Sequence, residues 1–372
     1  MDLTILQHYW WILLCILGGL LVFLLFVQGG QSLLYTIGKT KDERDLLINT
    51  LGHNWAYTFT TLVVFGGAFF ASFPLFYSTS FGGAYVVWML ILFCFVLQAV
   101  SYEFRTKKNN FLGSRTYETF LMINGFAAPF LLGAAVATFF TGSPFRLGLM
   151  HEVEWMTPWR GLDALFVIQN YFLALAVFFL ARTLAALYFI LTISDENIRN
   201  RSHRQVLYNA IPFVVFFLLF LTFILAGNGY AINTQGNIEL VRYKYFFNLI
   251  EMPANTVLFI IGVICVLYGI IRTLLSSKWY KGIWYSGTGT ILTVISLLII
   301  AGFNNTAFYP SSTDLNSSLT IYNASSSFYT LKAMSWVSII VPIVIAYIWY
   351  AWRSMTRKAM NTKELEETEN KY

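Results

Sequence analysis

Residues 9–37 read YWWILLCILGGLLVFLLFVQGGQSLLYTI and contain no charged side chain, and the basic residues Lys39, Lys41 and Arg44 follow. A helix of about 20 apolar residues crosses the hydrocarbon core of a bilayer, so this run is long enough to span with some to spare. Eight more such segments follow, roughly at Ala56–Pro74, Phe81–Phe104, Tyr117–Thr141, Leu162–Ile193, Val206–Ala226, Ala254–Leu275, Ile283–Asn304 and Leu331–Trp352. With 57% hydrophobic and 11% charged residues, the composition excludes a soluble globular domain. The expected fold class is therefore all-α: a polytopic membrane protein of nine transmembrane helices, arranged as two four-helix bundles plus one helix.

The loops alternate in charge. Lys39, Lys41 and Arg44 follow the first segment, Arg105, Lys107, Lys108 and Arg115 the third, Arg199, Arg201 and Arg204 the fifth, and Lys278 and Lys281 the seventh. Arg353, Arg357, Lys358, Lys363 and Lys371 follow the ninth. The intervening loops carry few cations, Arg146, Arg160, Arg242 and Lys244 among them. Lysine and arginine concentrate in cytoplasmic loops, which places the N-terminus outside and the C-terminus in the cytoplasm. The net charge of +6 is then a property of helix ends facing anionic lipid and calls for no nucleic acid. The first segment is too long for a cleaved signal peptide and lacks a basic leader. Residues 1–361 read as one transmembrane domain and 362–372 as a charged, mobile cytoplasmic tail.

Three outer loops are long, at 142–161, 227–253 and 305–330, and the last is rich in serine, threonine and asparagine. The serines before Phe328 are placed to cap the ninth helix. Cys15, Cys94 and Cys265 all lie in apolar segments with no close spacing, so neither a disulfide framework nor a cysteine metal site is expected.

Ionisable and amide side chains at membrane depth are costly, which makes each a candidate for function. Glu103 and Glu118 flank a short cytoplasmic loop and are candidates for a proton path inward; the competing reading is a pair of interfacial ion pairs. Arg182 lies well inside the fifth segment and calls for a carboxylate, amide or cofactor propionate. Gln28 and Gln98 are buried polar candidates that more often join helices than perform chemistry. His8, His53, His151 and His203 lie near helix ends or in loops, with no facing pair for axial ligation, so no haem is expected in this chain. No phosphate-binding loop, nucleophile elbow or zinc-protease motif is present.

Several stretches together resemble subunit II of the cytochrome bd-type quinol oxidases. They are Trp10-Trp11; Gly66-Gly67-Ala68 through Phe73-Pro74 with Tyr77, Phe81, Gly83 and Tyr85; Thr141-Gly142-Ser143-Pro144-Phe145; and Pro310-Ser311-Ser312-Thr313 with Asn316, Ser318-Leu319-Thr320, Ala324-Ser325-Ser326, Thr330-Leu331, Met334 and Trp336. The resemblance implies a multi-pass subunit of the bacterial cytoplasmic membrane in a heterodimer with subunit I. Haem b and haem d belong to that partner, and quinol oxidation is coupled to reduction of oxygen to water. It further implies a bound quinone, a small single-helix subunit in some members, and a proton or oxygen path. Trp55, Ser311, Ser312 and Thr313 are the candidates for contact with a quinone or with the partner.

The chain departs from the family pattern where carboxylates are usual. Gln28 and Gln31 stand near the end of the first helix, Ala56 follows Trp55, and Gln98 stands where an arginine is common. A stand-alone nine-helix transporter is the rival reading. It predicts matched helix breaks in two halves, whereas Pro129 and Pro342 are unmatched in position.

Overall fold

The computed structural model describes residues 2–107 and 110–355. Lys108, the cations from Arg357 onward and the tail at 362–372 lie outside the described residues. Among the described residues nine helices are long and apolar enough to cross a membrane: α1 (Leu3–Ser32), α2 (Lys41–Ser72), α3 (Tyr85–Phe104), α4 (Ser114–Thr141), α5 (Ile168–Thr192), α6 (Glu196–Ala226), α7 (Pro253–Leu275), α8 (Gly282–Gly302) and α9 (Phe328–Ser354).

The two largest boundary differences from the sequence reading each have a local reason. The basic stretch after the first segment is helical from Lys41 to Gly52, because Thr40 and Glu43 form a reciprocal capping box. Its Leu46, Leu47, Ile48 and Leu51 are buried. α2 turns at His53 and Asn54 before its apolar half begins at Trp55. α6 starts at Glu196 rather than near Val206, since the Asp195 carboxylate accepts from the Ile198 amide at 2.9 Å and caps the helix there.

α1 and α5 are the most enclosed helices, and α9 is the least. α5 packs along α4 and α6, α7 along α8, and α1 along α2 and α8, while the end of α1 from Phe26 lies between α4 and α5. The sets α1–α4 and α5–α8 thus share long seams, and one apolar cluster runs through both. Small residues set the closest approach: a methyl group on Gly289 of α8 would stand 2.5 Å from the Gly262 carbonyl oxygen of α7. In a lipid solvent such close backbone contact replaces the hydrophobic drive between helices.

The long loops gather at one end. Strands β1 (Phe145–Leu147) and β2 (Val153–Trp155) form one antiparallel hairpin, and β3 (Asn228–Ile232) and β4 (Ile238–Arg242) another. Backbone bridges Ser143–Ser311 and Ala231–Thr306 tie both hairpin loops to the loop before α9. Ser327 caps α9, its hydroxyl accepting from the Thr330 amide at 3.3 Å. The basic loops lie at the opposite end.

Candidate functional site

Three helices carry polar side chains on facing stripes near the basic end. α3 presents Gln98, Tyr102 and Arg105 at i, i+4 and i+7, which is one face of a helix. α1 presents Gln28 and Gln31, and Tyr35 follows one turn later. α4 presents Glu118 and Asn124. Glycine lets the stripes meet, because Gly125 has no side chain to hold α4 away from the Gln28 backbone.

Gln28, Gln31, Gln98 and Asn124 are fully enclosed. The Gln28, Gln31 and Asn124 amide nitrogens each donate to Gln98 Oε1 at 2.7 Å. Asn124 also donates to Gln31 Oε1 at 2.7 Å, and Gln31 donates to the Tyr102 hydroxyl at 3.1 Å. Gln28 Oε1, Asn124 Oδ1 and Gln98 Nε2 are enclosed without a partner. An enclosed polar atom without a protein partner is a place for water, and two acceptors and a donor in one cluster suit it. Trp55 stacks at 5.9 Å between ring centres on Tyr102, whose hydroxyl accepts from Gln31 of this cluster.

Toward the basic end the column becomes ionic. The Tyr35 hydroxyl donates to Glu118 Oε2 at 2.7 Å, and Arg44 Nε donates to the same oxygen at 3.1 Å. Arg105 reaches Glu118 Oε1 at 3.4 Å and Asp45 at 2.5 Å. Burial and the neighbouring Glu118 push the Tyr35 phenol above its ordinary range, so it stays a donor. Arg105 and Asp45 also line an open cavity of about 360 Å³ with Lys41, Lys107 and Ser114. The path from that cavity to Glu118 is therefore one side chain long. One helix turn, about 6 Å, then separates Arg105 from Tyr102 and the amides.

Glu103 is placed elsewhere. Its side chain is 63% exposed and pairs with Lys107 at 3.2 Å, so the structure does not bring Glu103 and Glu118 together. Ala56 is exposed and outside the column. Arg182 stands over the Phe178 and Phe126 rings at 5.3 and 5.8 Å. Ser311, Ser312 and Thr313 lie at the hairpin end. There Ser311 donates to the Phe145 carbonyl, Thr313 to the same oxygen at 2.8 Å, and the Ser312 amide to Ser143 O at 2.9 Å. Sequence reasoning missed Asn124, Tyr102, Tyr35, Arg44 and Asp45. Of these, only Asn124 announced itself, as an amide in the middle of an apolar segment.

Two apolar cavities inside the helix bundle offer no axial ligand for a haem. An apolar cavity of about 380 Å³ among α5–α8 is walled by side chains such as Leu173, Val177, Phe217 and Leu297, with no imidazole, thiolate or thioether on its wall. The same holds for a smaller cavity beside it, of about 70 Å³, which shares Leu173, Val177 and Leu297. Among the described residues no three of His, Cys, Asp and Glu come together as a metal site.

Comparison with known proteins agrees along nearly the whole chain. A family model described as cytochrome bd terminal oxidase subunit II matches residues 6–355. Cytochrome bd-I ubiquinol oxidase subunit 2 of Escherichia coli strain K12 is 27% identical, with 96% of each chain covered. Cytochrome bd ubiquinol oxidase subunit 2 of Bacillus subtilis strain 168 is 26% identical, covering 96% of this chain and 98% of the relative. A chain in the structure of bd oxidase from Geobacillus thermodenitrificans superposes with a TM-score of 0.63 at 14% identity, over 94% of this chain and 98% of that one. At that identity the superposition speaks for the fold alone.

Proposed function

The chain belongs to the cytochrome bd terminal oxidase subunit II family, and from that premise we propose that it is the haem-free partner that stabilises a haem-bearing subunit I and admits protons along the α1–α3–α4 column. Membership makes it a multi-pass protein of the bacterial inner membrane and one subunit of a quinol:oxygen oxidoreductase complex that contains haem. The match over nearly the full chain carries this reading over a stand-alone transporter.

The finer assignments are ours. Haem b and haem d are assigned to subunit I as part of this proposal, and the substrate is a quinol, as the relatives' names, ubiquinol oxidase, indicate for them. A bound quinone, lipid and a small single-helix subunit remain further partners of the complex. The basic end is the cytoplasmic one. Protons enter at the cavity beside Arg105, with Glu103, paired to the cavity-lining Lys107, as a collector, and reach Glu118. Beyond Glu118 no side chain of the amide cluster changes charge near neutral pH, because carboxamides do not titrate. Onward transfer runs through water held by Gln28, Asn124 and Gln98. The observation that supports this most is the set of three enclosed, unpartnered polar atoms in line with a buried carboxylate.

The test is made in the two-subunit complex in vesicles, comparing E118Q, E103Q and the double variant. Slowed potential generation at intact haem content supports the route. Wild-type turnover and potential in E118Q would remove Glu118 from it.

A further inference from the structure

The geometry points to Arg182 as the anchor of an interface inside the membrane: we infer that its guanidinium pairs with a side-chain carboxylate on a transmembrane helix of subunit I. This rests on the subunit II reading above. Arg182 is ten residues from the end of α5 at Thr192, about 15 Å along the helix axis. That places it near the middle of the bilayer.

Nothing in the described chain compensates the charge. Arg182 takes part in none of the ion pairs among the described residues, and its enclosed Nε has no hydrogen-bond partner. Its contacts are the faces of Phe178 and Phe126. α4 has no charged residue from Thr119 to Thr141, α6 has none from Gln205 to Ala226, and α5 has no other. The two rings, themselves stacked at 5.2 Å, flank the guanidinium and offer its donors no hydrogen-bonding oxygen or nitrogen. Phe126 and Ile123 are exposed on the α4 side of this site, so this chain leaves the face beside the guanidinium uncovered.

A charge at this depth faces protein or water rather than lipid tails. The head-group region is about 15 Å away, beyond the reach of an arginine side chain by snorkelling alone. A planar fork with five donors is matched by a carboxylate. A membrane-embedded acidic side chain would be costly alone in subunit I and is matched by this arginine.

The test uses the whole complex. A photoreactive benzophenone side chain replacing Phe126, with Arg182 retained, is expected to cross-link to subunit I on illumination. R182L is expected to lower recovery of the assembled, haem-loaded complex by about tenfold or more, and R182K, which keeps the charge and loses the planar fork, to restore it in part. Cross-links to lipid alone, or to a different small protein, would overturn the inference, as would wild-type assembly of R182L. The benzophenone reading stands even where R182L fails to fold. If no haem-bearing subunit accompanies the wild-type chain, the subunit II reading itself fails; if it does and no cross-link to it forms, only the Arg182 assignment fails.

Discussion

Gly125 of α4 lies directly against Gln28 of α1: a methyl group at Gly125 would stand 2.6 Å from the Gln28 carbonyl oxygen and 2.5 Å from the Ser32 amide nitrogen. Both obstacles are backbone, so neither can rotate away. The contact fixes the distance across which Gln28, Gln31, Gln98 and Asn124 meet. Gly125→Ala is expected to destabilise the complex by about 1–3 kcal/mol, as overpacking does elsewhere. A thermal unfolding midpoint equal to wild type would show that the two helices are free to separate.

Gln98 makes a sharper case, because one oxygen serves three donors. Gln98→Leu keeps the volume and removes the acceptor. Stranding a buried donor costs about 1–3 kcal/mol. Even with relaxation a loss of about 3 kcal/mol is expected, seen as reduced yield of folded complex. Gln98→Asn moves the same group back by one methylene and should fall between the two. Equal stability of the leucine variant would mean that water already serves these donors.

Glu103 and Glu118 separate by environment. The Glu103–Lys107 pair is more than 60% exposed on both sides, and such pairs contribute about 0–1 kcal/mol. E103Q should therefore leave the melting temperature unchanged. Glu118 is 4% exposed and meets Arg44 and Arg105, and breaking a buried pair by removing one partner costs about 3–5 kcal/mol. E118Q should lower the melting temperature as well as potential generation. A fall in stability with proton uptake intact would make Glu118 a structural anchor only.

The nine spans were legible because apolar runs and basic loops are one-dimensional signals. The column was not. Gln28 and Gln98 each stood out as a polar residue in an apolar segment, yet nothing local says that residues 70 apart face each other. Likewise Arg44 looked like an ordinary positive loop residue until the capping box turned its loop into helix and aimed it at Glu118, 74 residues away. Pairing of helices in lipid depends on small residues such as Gly125, whose partner is invisible in sequence. The Glu103 and Glu118 expectation treated loop proximity as side-chain proximity. Helical rotation sends the two carboxylates to different faces.

Ser311 poses the last question, whether the hairpin-end serines hold the fold or a ligand. Its hydroxyl is fully enclosed, donates to the Phe145 carbonyl, and accepts from the Thr313 and Asp314 amides at 3.3 and 3.1 Å. With those bonds made, the oxygen has no capacity left for a quinone. Ser311→Ala should cost about 1–3 kcal/mol by stranding the amides. It should also speed hydrogen exchange in β1 and β2, which lose their tie to the loop before α9, while the KM for quinol stays at the wild-type value. A raised KM with unchanged exchange would assign Ser311 to a quinone contact instead. Thr313→Val gives the control, since its hydroxyl donates to the same carbonyl at 2.8 Å in a bond that is only partly buried, and its loss should produce a smaller shift of the same kind.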